Sequence, residues 1–444
     1  MYILSLLVAG TVALQGPSIL PDSLDRAAAY RLARERSPVV EAAKAAIRGA
    51  DAELAAARAE RGPRLSADLL YLHYQDPPAV AFGAPVGFAP LLRDNLAVGL
   101  RVGQPVYTGG RIGAAIRAAE AGREAATNRA RAVVAEVDGT VAKAFDAALL
   151  ARALVDVAEE GVSVLEEAVR VAREQVESGA VARIDVLRAE TRLSSARADR
   201  RAARDRVSDA RERLAAVLGL DEPSLPAVSG ELMAVEGNSV AELRESAGRL
   251  GEHGALLAVA AAARAREAEA RLARGARLPS VSLQLGALST RPELMTGRKE
   301  WGEELYAAVG LTWTFFDFGR SSSRASTSTA AAERLRARGS ALEDSLRAVV
   351  RVEIRRLERS VQEVEDARSN VRRAEQVLDL ARERYREGIG IQLEVLEAQA
   401  EMARVRGDLH RAAHASRTAV TEARRALGRT VLEYPLEDTE GGEP

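Results

Sequence analysis

Apolar residues recur every three or four positions through most of the chain, and every second position in four short segments. The first spacing lays one stripe on an α-helix; the second lines one face of a β-strand. Over residues 112–178, Leu154, Ala158, Val162, Leu165, Val169, Ala172 and Val176 share a stripe. Over residues 321–387, Val361, Val364, Val371, Val377 or Leu378, and Ala381 do the same. The stripes are narrow and rich in Ala and Val, which suits helices packed closely along a coiled-coil seam or in a curved sheet of helices, not around a thick core. The alternating segments are residues 65–74, the least regular, 96–102, 281–285 and 305–315. In the second of these Leu96, Val98, Leu100 and Val102 alternate with Ala97, Gly99, Arg101 and Gly103; in the last, Ala307, Val309, Leu311, Trp313 and Phe315 alternate with small or polar residues.

Strands of about ten residues, apolar outward and small or polar inward, are the pattern of a membrane β-barrel. Tyr107, Trp313, Phe315, Phe316 and Phe318 stand where the last strands end, as an interfacial aromatic belt requires. A soluble β-sandwich lobe produces the same alternation, but here two hairpins have no further strands or helices to cover them. Four strands cannot close a barrel, and open edges are not tolerated in lipid. Three chains supply twelve strands, which can close. The membrane reading therefore demands a homotrimer.

The chain repeats itself at one fixed shift. Moving Arg173-Glu174, Gly179, Val186-Leu187-x-Ala189, Arg197-x-Asp199 and Leu218-Gly219 by 209 positions reproduces each group, and the same shift carries Tyr107-x-x-Gly110-Arg111 onto Phe316-x-x-Gly319-Arg320. The first copy spans residues 16–219, with a hairpin at 64–106 and a tip at 179–182; the second spans 239–428, with a hairpin at 278–316 and a tip at 388–391. Residues 220–238 form an equatorial linker, and 429–444 an acidic tail. Each copy predicts a helix (24–60 or 239–274), two strands, a very long helix to the tip, and a return helix ending at Gly219 or Gly428. Gly62 and Gly275, where the first helices stop, suit left-handed caps. Each long helix has 67 residues, roughly 100 Å, so it can face two shorter helices stacked end to end.

Composition narrows the function. The 444 residues carry a net charge of −1, 29% charged and 4% aromatic residues, and no cysteine. Basic residues interleave with acids along helix faces rather than forming a nucleic-acid patch. Without cysteine there are no disulfides, no thiol catalysis and no lipobox. Residues 1–15 resemble a secretory signal peptide, although the basic segment that ordinarily precedes the apolar core is missing. The longest later apolar run, residues 254–263, is about half of what a spanning helix needs.

With these features the chain resembles the outer membrane efflux protein family, the TolC-like outer membrane factors. The resemblance covers nearly everything after the signal segment. It rests on the duplicated unit, on the strand-to-helix turns Pro105-Val106-Tyr107-Thr108-Gly109-Gly110-Arg111 and Thr314-Phe315-Phe316-Asp317-Phe318-Gly319-Arg320, and on the tips around Gly179 and Gly388. It implies a mainly α fold with a trimeric twelve-stranded outer-membrane β-barrel, four strands per chain, continued by a long periplasmic α-helical barrel. It implies a passive exit duct in tripartite efflux or type I secretion, reached through a periplasmic adaptor (membrane fusion protein) from an inner-membrane RND, MFS or ABC transporter. Gly179, Ala180, Val181 and Ala182, and Gly388, Ile389, Gly390 and Ile391, would then dock the adaptor and narrow into a gate. Glu394 and Glu397 fall where relatives carry acidic rings; Asp185 and Arg188 are the aligned residues of the first copy. Carboxylates around a narrow trimeric mouth repel anions and attract cations. Glu394 and Glu397 suit equally the first turn of a helix, where the macrodipole favours acids. Some relatives lock the gate with a tip arginine; Gly390 stands near that place. Gly110, Arg111, Gly319 and Arg320 shape the turns, the arginines suiting either a capped turn or lipid headgroups.

Catalysis, cofactors and metals find no support. His410 and His414 are four apart but lack the glutamate of a zinc-protease helix, and Gly109-Gly110-x-x-Gly113 lacks dinucleotide-loop spacing. The alternative function is a periplasmic coiled-coil adaptor or scaffold without a pore. It would not need two membrane-patterned hairpins.

Overall fold

The computed structural model describes residues 23–75, 93–178, 182–291 and 300–429. The signal segment, the tip residues Gly179, Ala180 and Val181, most of both strand-to-strand loops and the acidic tail lie outside them. The elements in chain order are β1 (Ser23–Leu24), α1 (Arg26–Arg36), α2 (Pro38–Ala59), β2 (Arg64–His73), β3 (Asp94–Tyr107), α3 (Arg111–Glu177), α4 (Arg183–Leu218), β4 (Ala227–Val228), α5 (Asn238–Ser246), α6 (Gly254–Gly275), β5 (Ser280–Arg291), β6 (Gly302–Thr312), α7 (Arg320–Arg386) and α8 (Gln392–Ala426). Both long helices have 67 residues. Among the described residues no helix is long and apolar enough to cross a membrane.

Three local expectations are corrected. The helix expected over residues 24–60 is two helices, because Pro38 forces its predecessor out of the α region: Ser37 sits at ψ 119°. The helix expected over 239–274 is also interrupted. A 3-10 turn, Ala247–Glu252, leads to His253 at ψ 122°, whose side chain caps α6 by accepting from the Ala255 N–H at 3.1 Å. Gly62 and Gly275 are not left-handed caps, since neither has positive φ. Gly275 is needed for close approach: a Cβ there would lie 2.7 Å from the Gly109 carbonyl oxygen. Left-handed glycines end the two return helices instead, Gly219 (φ 66°) and Gly428 (φ 67°).

The chain divides into two compact units. The first holds residues up to Ser37, Glu136–Glu245 and Arg351–Arg425. Its core repeats at the 209-residue shift. Val162, Leu165 and Val169 of α3 pack with Ala189, Leu193 and Ala196 of α4. Their counterparts Val371, Ala374 and Leu378 of α7 pack with Ala398, Met402 and Val405 of α8. The same seam is therefore built twice from small and medium side chains. Elsewhere in the same unit lies a charged cluster. Arg34 (3% exposed) forks onto Asp138 (1%), its Nε donating at 2.8 Å, and Asp146 (1%) accepts from Arg26 and, at 2.9 Å, from Arg417. The linker is fastened here as well: β4 pairs in parallel with β1, Arg152 donates to the Val228 carbonyl (3.2 Å), and Arg417 to that of Met233 (3.2 Å).

The second unit holds Pro38–Ala135, Ser246–Val350 and the chain from Ala426. Alanines dominate its buried helical positions: Ala114, Ala121 and Ala130 on α3, Ala261, Ala268 and Ala270 on α6, and Ala325 and Ala332 on α7. Small side chains let the helices close in, and Gly254 meets the Asn128 carbonyl at a distance that a Cβ would reduce to 2.8 Å. Ion pairs flank the contacts, Arg58 with Glu120 (3.3 Å) and Arg264 with Glu124 (2.7 Å). His253 is buried against Gly428, and burial lowers its pKa.

That shift has a sign. Folding favours neutral His253, so no penalty exists well above the ordinary histidine pKa near 6.5. The penalty grows as the pH falls through that value toward the lowered folded one. Burial also lowers His410 and His414. Thermal unfolding midpoints should therefore drop between about pH 7 and pH 5. His253→Asn, which keeps a capping side chain, should make the drop shallower; an unchanged slope would remove His253 from the account.

Candidate functional site

The sheet belongs to the second unit and has the order β2-β3-β5-β6, antiparallel throughout. β3 pairs with β5, so the two repeats join their hairpins edge to edge, while β2 and β6 have no second partner strand among the described residues. The register separates two faces. One carries Leu65, Leu69, Val98, Leu100, Leu285, Leu305 and Val309; of these Leu69 is 73%, Leu305 87% and Val309 74% exposed. The other carries Asp68, Arg101, Gln284, Glu304 and Tyr306. On this polar face Ser66, Arg101, Gly286 and Tyr306 form one row across all four strands. The Tyr306 ring lies flat over Gly286, where a Cβ would come within 2.4 Å of its Cζ. The Tyr306 hydroxyl meets Arg101, which in turn lies 3.6 Å from Asp68. An apolar face this exposed, set against a cross-linked polar one, matches lipid on one side and water on the other. β6 stops at Thr312, so Trp313 and Phe315, expected within the strand, lie beyond it.

The strand-to-helix turns keep the repeat's geometry. Gly110 (φ 76°) and Gly319 (φ 81°) are both left-handed. Arg111 donates from Nε to the Thr108 carbonyl at 3.1 Å, and the Arg320 amide donates to that of Asp317 at 3.1 Å. Arg111 thus bonds within its own turn.

The tips belong to the first unit. At the second tip Gly388 (φ 75°) donates to the Tyr385 carbonyl (3.1 Å). The amides of Ile389 and Gly390 both donate to the Arg384 carbonyl, at 3.0 and 2.9 Å. This closes the free carbonyls at the end of α7. Ile389 is 67% and Ile391 60% exposed. At the first tip only Ala182 is described; it precedes α4 without a side-chain cap.

The three candidate carboxylates each have an arginine within reach. Glu394 lies 3.4 Å from Arg384, Glu397 3.8 Å from Arg192, and Asp185 3.6 Å from Arg188. Arg384 and Arg192 were not singled out from the sequence. Arg384 stands across the turn from Glu394, and Arg192 sits in the other repeat from Glu397, so no short spacing relates them. Gly390 has a place in this arrangement: a Cβ there would come within 3.0 Å of the Arg384 Cβ and 3.2 Å of a Glu394 carboxylate oxygen. His414 lines a cleft with Arg356, Arg359 and Glu363. Among the described residues no three His, Asp or Glu side chains converge as a metal set would.

The family described as "Outer membrane efflux protein" matches residues 29–220 and 249–429. The fold resembles VceC from Vibrio cholerae, an outer membrane protein, at 18% identity and TM-score 0.70, covering 91% of this chain and 96% of that one. It also resembles the open state of the MtrE outer membrane channel of Neisseria gonorrhoeae, at 21% identity and TM-score 0.67, covering 90% and 88%. By sequence it is 30% identical over 200 residues to the nickel-cobalt-cadmium resistance protein NccC of Alcaligenes xylosoxydans xylosoxydans. That match spans 45% of this chain and 43% of NccC. With two thirds and more of its length matched in two blocks that follow the internal repeat, the chain belongs to the outer membrane efflux protein family.

Proposed function

We propose that three copies of this chain close a twelve-stranded barrel through β2 and β6, forming a passive exit duct from the periplasm. The observation that carries this reading is the four-stranded sheet. It has an exposed apolar face, a cross-linked polar face and two edges without partner strands among the described residues. Backbone groups cannot remain unpaired in hydrocarbon, so the edges call for further copies of the same sheet. A pore-free periplasmic scaffold would leave the apolar face in water. In the proposed assembly the tips at 179–182 and 388–391 meet a periplasmic adaptor, which passes substrate from an inner-membrane pump.

The tip geometry adds a mechanism. Glu394 and Glu397, with Arg384 and Arg192, form a weak latch rather than a bare acidic ring. Exposed pairs of this kind contribute about 0–1 kcal/mol each, so adaptor docking could supply enough interaction to release them. Released, the carboxylates favour cations at the mouth. NccC is named for nickel, cobalt and cadmium resistance, and divalent metal cations are the substrate class this mouth fits.

Single-channel recording in planar bilayers tests the proposal. Glu394→Ala combined with Glu397→Ala should lower cation preference and weaken block by divalent ions. Selectivity and block identical to the parent protein would take the gate away from these residues.

A further inference from the structure

We propose that a cleft between α7 and α8 binds a small solute through one oxyanion group, a carboxylate or a phosphate, held by Arg356 and Arg359. The cleft has a volume of about 380 Å³, within the range of small-molecule sites. Arg356, Arg359, Ser360 and Glu363 line it from α7, and His414 and Thr418 from α8. Residues three or four apart are neighbours on a helix surface, so each helix turns one polar row toward the cleft. All of these residues belong to the first unit.

The duplication supplies a comparison inside the chain. At the shift of 209, Arg356, Arg359 and Ser360 align with Ala147, Leu150 and Ala151, and Glu363 with Leu154. On α8, His414 and Thr418 align with Asp205 and Asp209 of α4. The second copy thus gains two bases where the first is apolar and loses two acids on the return helix, with Glu363 as its one added acid. In the first copy these α3 positions serve packing: Ala151 is buried, and Leu154 lies close to Gly407 of α8, where a Cβ would be 3.8 Å from its Cδ2. Helix packing alone therefore does not call for guanidinium groups here.

The polar groups of the cleft are short of partners. Arg356 has Glu353 at 3.9 Å. Arg359 makes no ion pair among the described residues, although Glu363 stands one turn on. Like charges one turn apart on a helix repel. An oxyanion bridging both guanidinium groups replaces that repulsion with charge-assisted hydrogen bonds. Thr418 adds an unmet hydroxyl. Its Oγ1 is buried without a hydrogen-bond partner among the described residues, whereas Thr421 on the same helix donates back to the Arg417 carbonyl at 2.9 Å. A buried polar group left unsatisfied is costly, and a ligand oxygen accepting from it removes the cost. Glu363 sets the other end. Its carboxylate repels a polyanion, so the ligand keeps its anionic group at the arginines and carries a neutral or cationic remainder. Bound there, it ties α7 to α8 beside the linker, where the Ser416 hydroxyl accepts from the Val235 amide at 3.2 Å.

The test is isothermal titration calorimetry of the full chain in detergent. Two probes are used, phosphoethanolamine and glycine, which join a phosphate or a carboxylate to a cationic remainder. At least one should bind saturably, and the tighter of them identifies the group. Arg356→Ala with Arg359→Ala should weaken that binding at least tenfold while the far-ultraviolet circular dichroism stays that of the parent. Arg170→Ala with Arg404→Ala removes the same charge from exposed positions of the same unit and should leave binding unchanged. Binding of neither probe would overturn the site, with water or a neighbouring subunit's carboxylate filling the cleft. Equal weakening by the two double variants would overturn it too, since diffuse charge and not the cleft would then hold the probe.

Discussion

Asp138→Ala is expected to destabilise the chain by about 3–5 kcal/mol, because it removes one member of a buried ion pair. Arg34 is 3% and Asp138 1% exposed, and the two meet as a fork. Removing the carboxylate takes away the group onto which the buried guanidinium forks. The measurement is thermal or denaturant unfolding of the detergent-solubilised protein, followed by far-ultraviolet circular dichroism. An exposed pair supplies the control. Arg170 lies 2.6 Å from Glu174, one turn away on α3, and Glu174→Ala should cost at most about 0.5 kcal/mol. Replacing both buried partners by apolar residues of similar volume, Arg34→Met with Asp138→Leu, should recover most of the loss. Equal, small shifts for Asp138→Ala and Glu174→Ala would mean that water reaches the buried pair.

Gly109→Ala should be nearly as damaging, for a different reason. Two costs combine at this position. The residue is left-handed at φ 62°, which costs an alanine about 1–2 kcal/mol. Its Cβ would also lie 2.6 Å from Leu278 and 2.7 Å from the Gly275 carbonyl oxygen, and overpacking adds about 1–3 kcal/mol. The neighbouring Gly110 separates the two, being left-handed at φ 76° with nothing within 4 Å of the place a Cβ would take. Gly110→Ala should therefore show the conformational cost alone, about 1–2 kcal/mol. Unfolding midpoints of the two variants compared side by side decide the matter; identical losses would show that the turn shifts away from Gly275 freely.

Much of the fold was legible because it is periodic and duplicated. The long helices, the return helices, the four strands and the glycines at the turns, tips and return-helix ends all leave short-range marks, whereas the left-handed caps expected at Gly62 and Gly275 were not found there. The breaks before Pro38 and at His253 were less visible, since the 3–4 apolar spacing runs on across both. Of the tip, Glu394, Glu397 and Asp185 were within view as acids following the tip glycines; Glu394 and Asp185 stand in a first helical turn, and Glu397 lies beyond it. Their arginines were not, since Arg192 and Glu397 come from different repeats.

By itself the sequence determined how often the unit occurs, how long the two 67-residue helices run and which face of each strand is apolar. Those properties follow from local spacing, and local spacing is written along the chain. The tertiary structure alone decided what each face meets: that β3 pairs with β5, that Arg34 finds Asp138 104 positions away, and that Gly275 is small to admit Gly109. Periodicity tells which side of an element avoids water, but partners are selected by three-dimensional proximity, and no spacing rule encodes that.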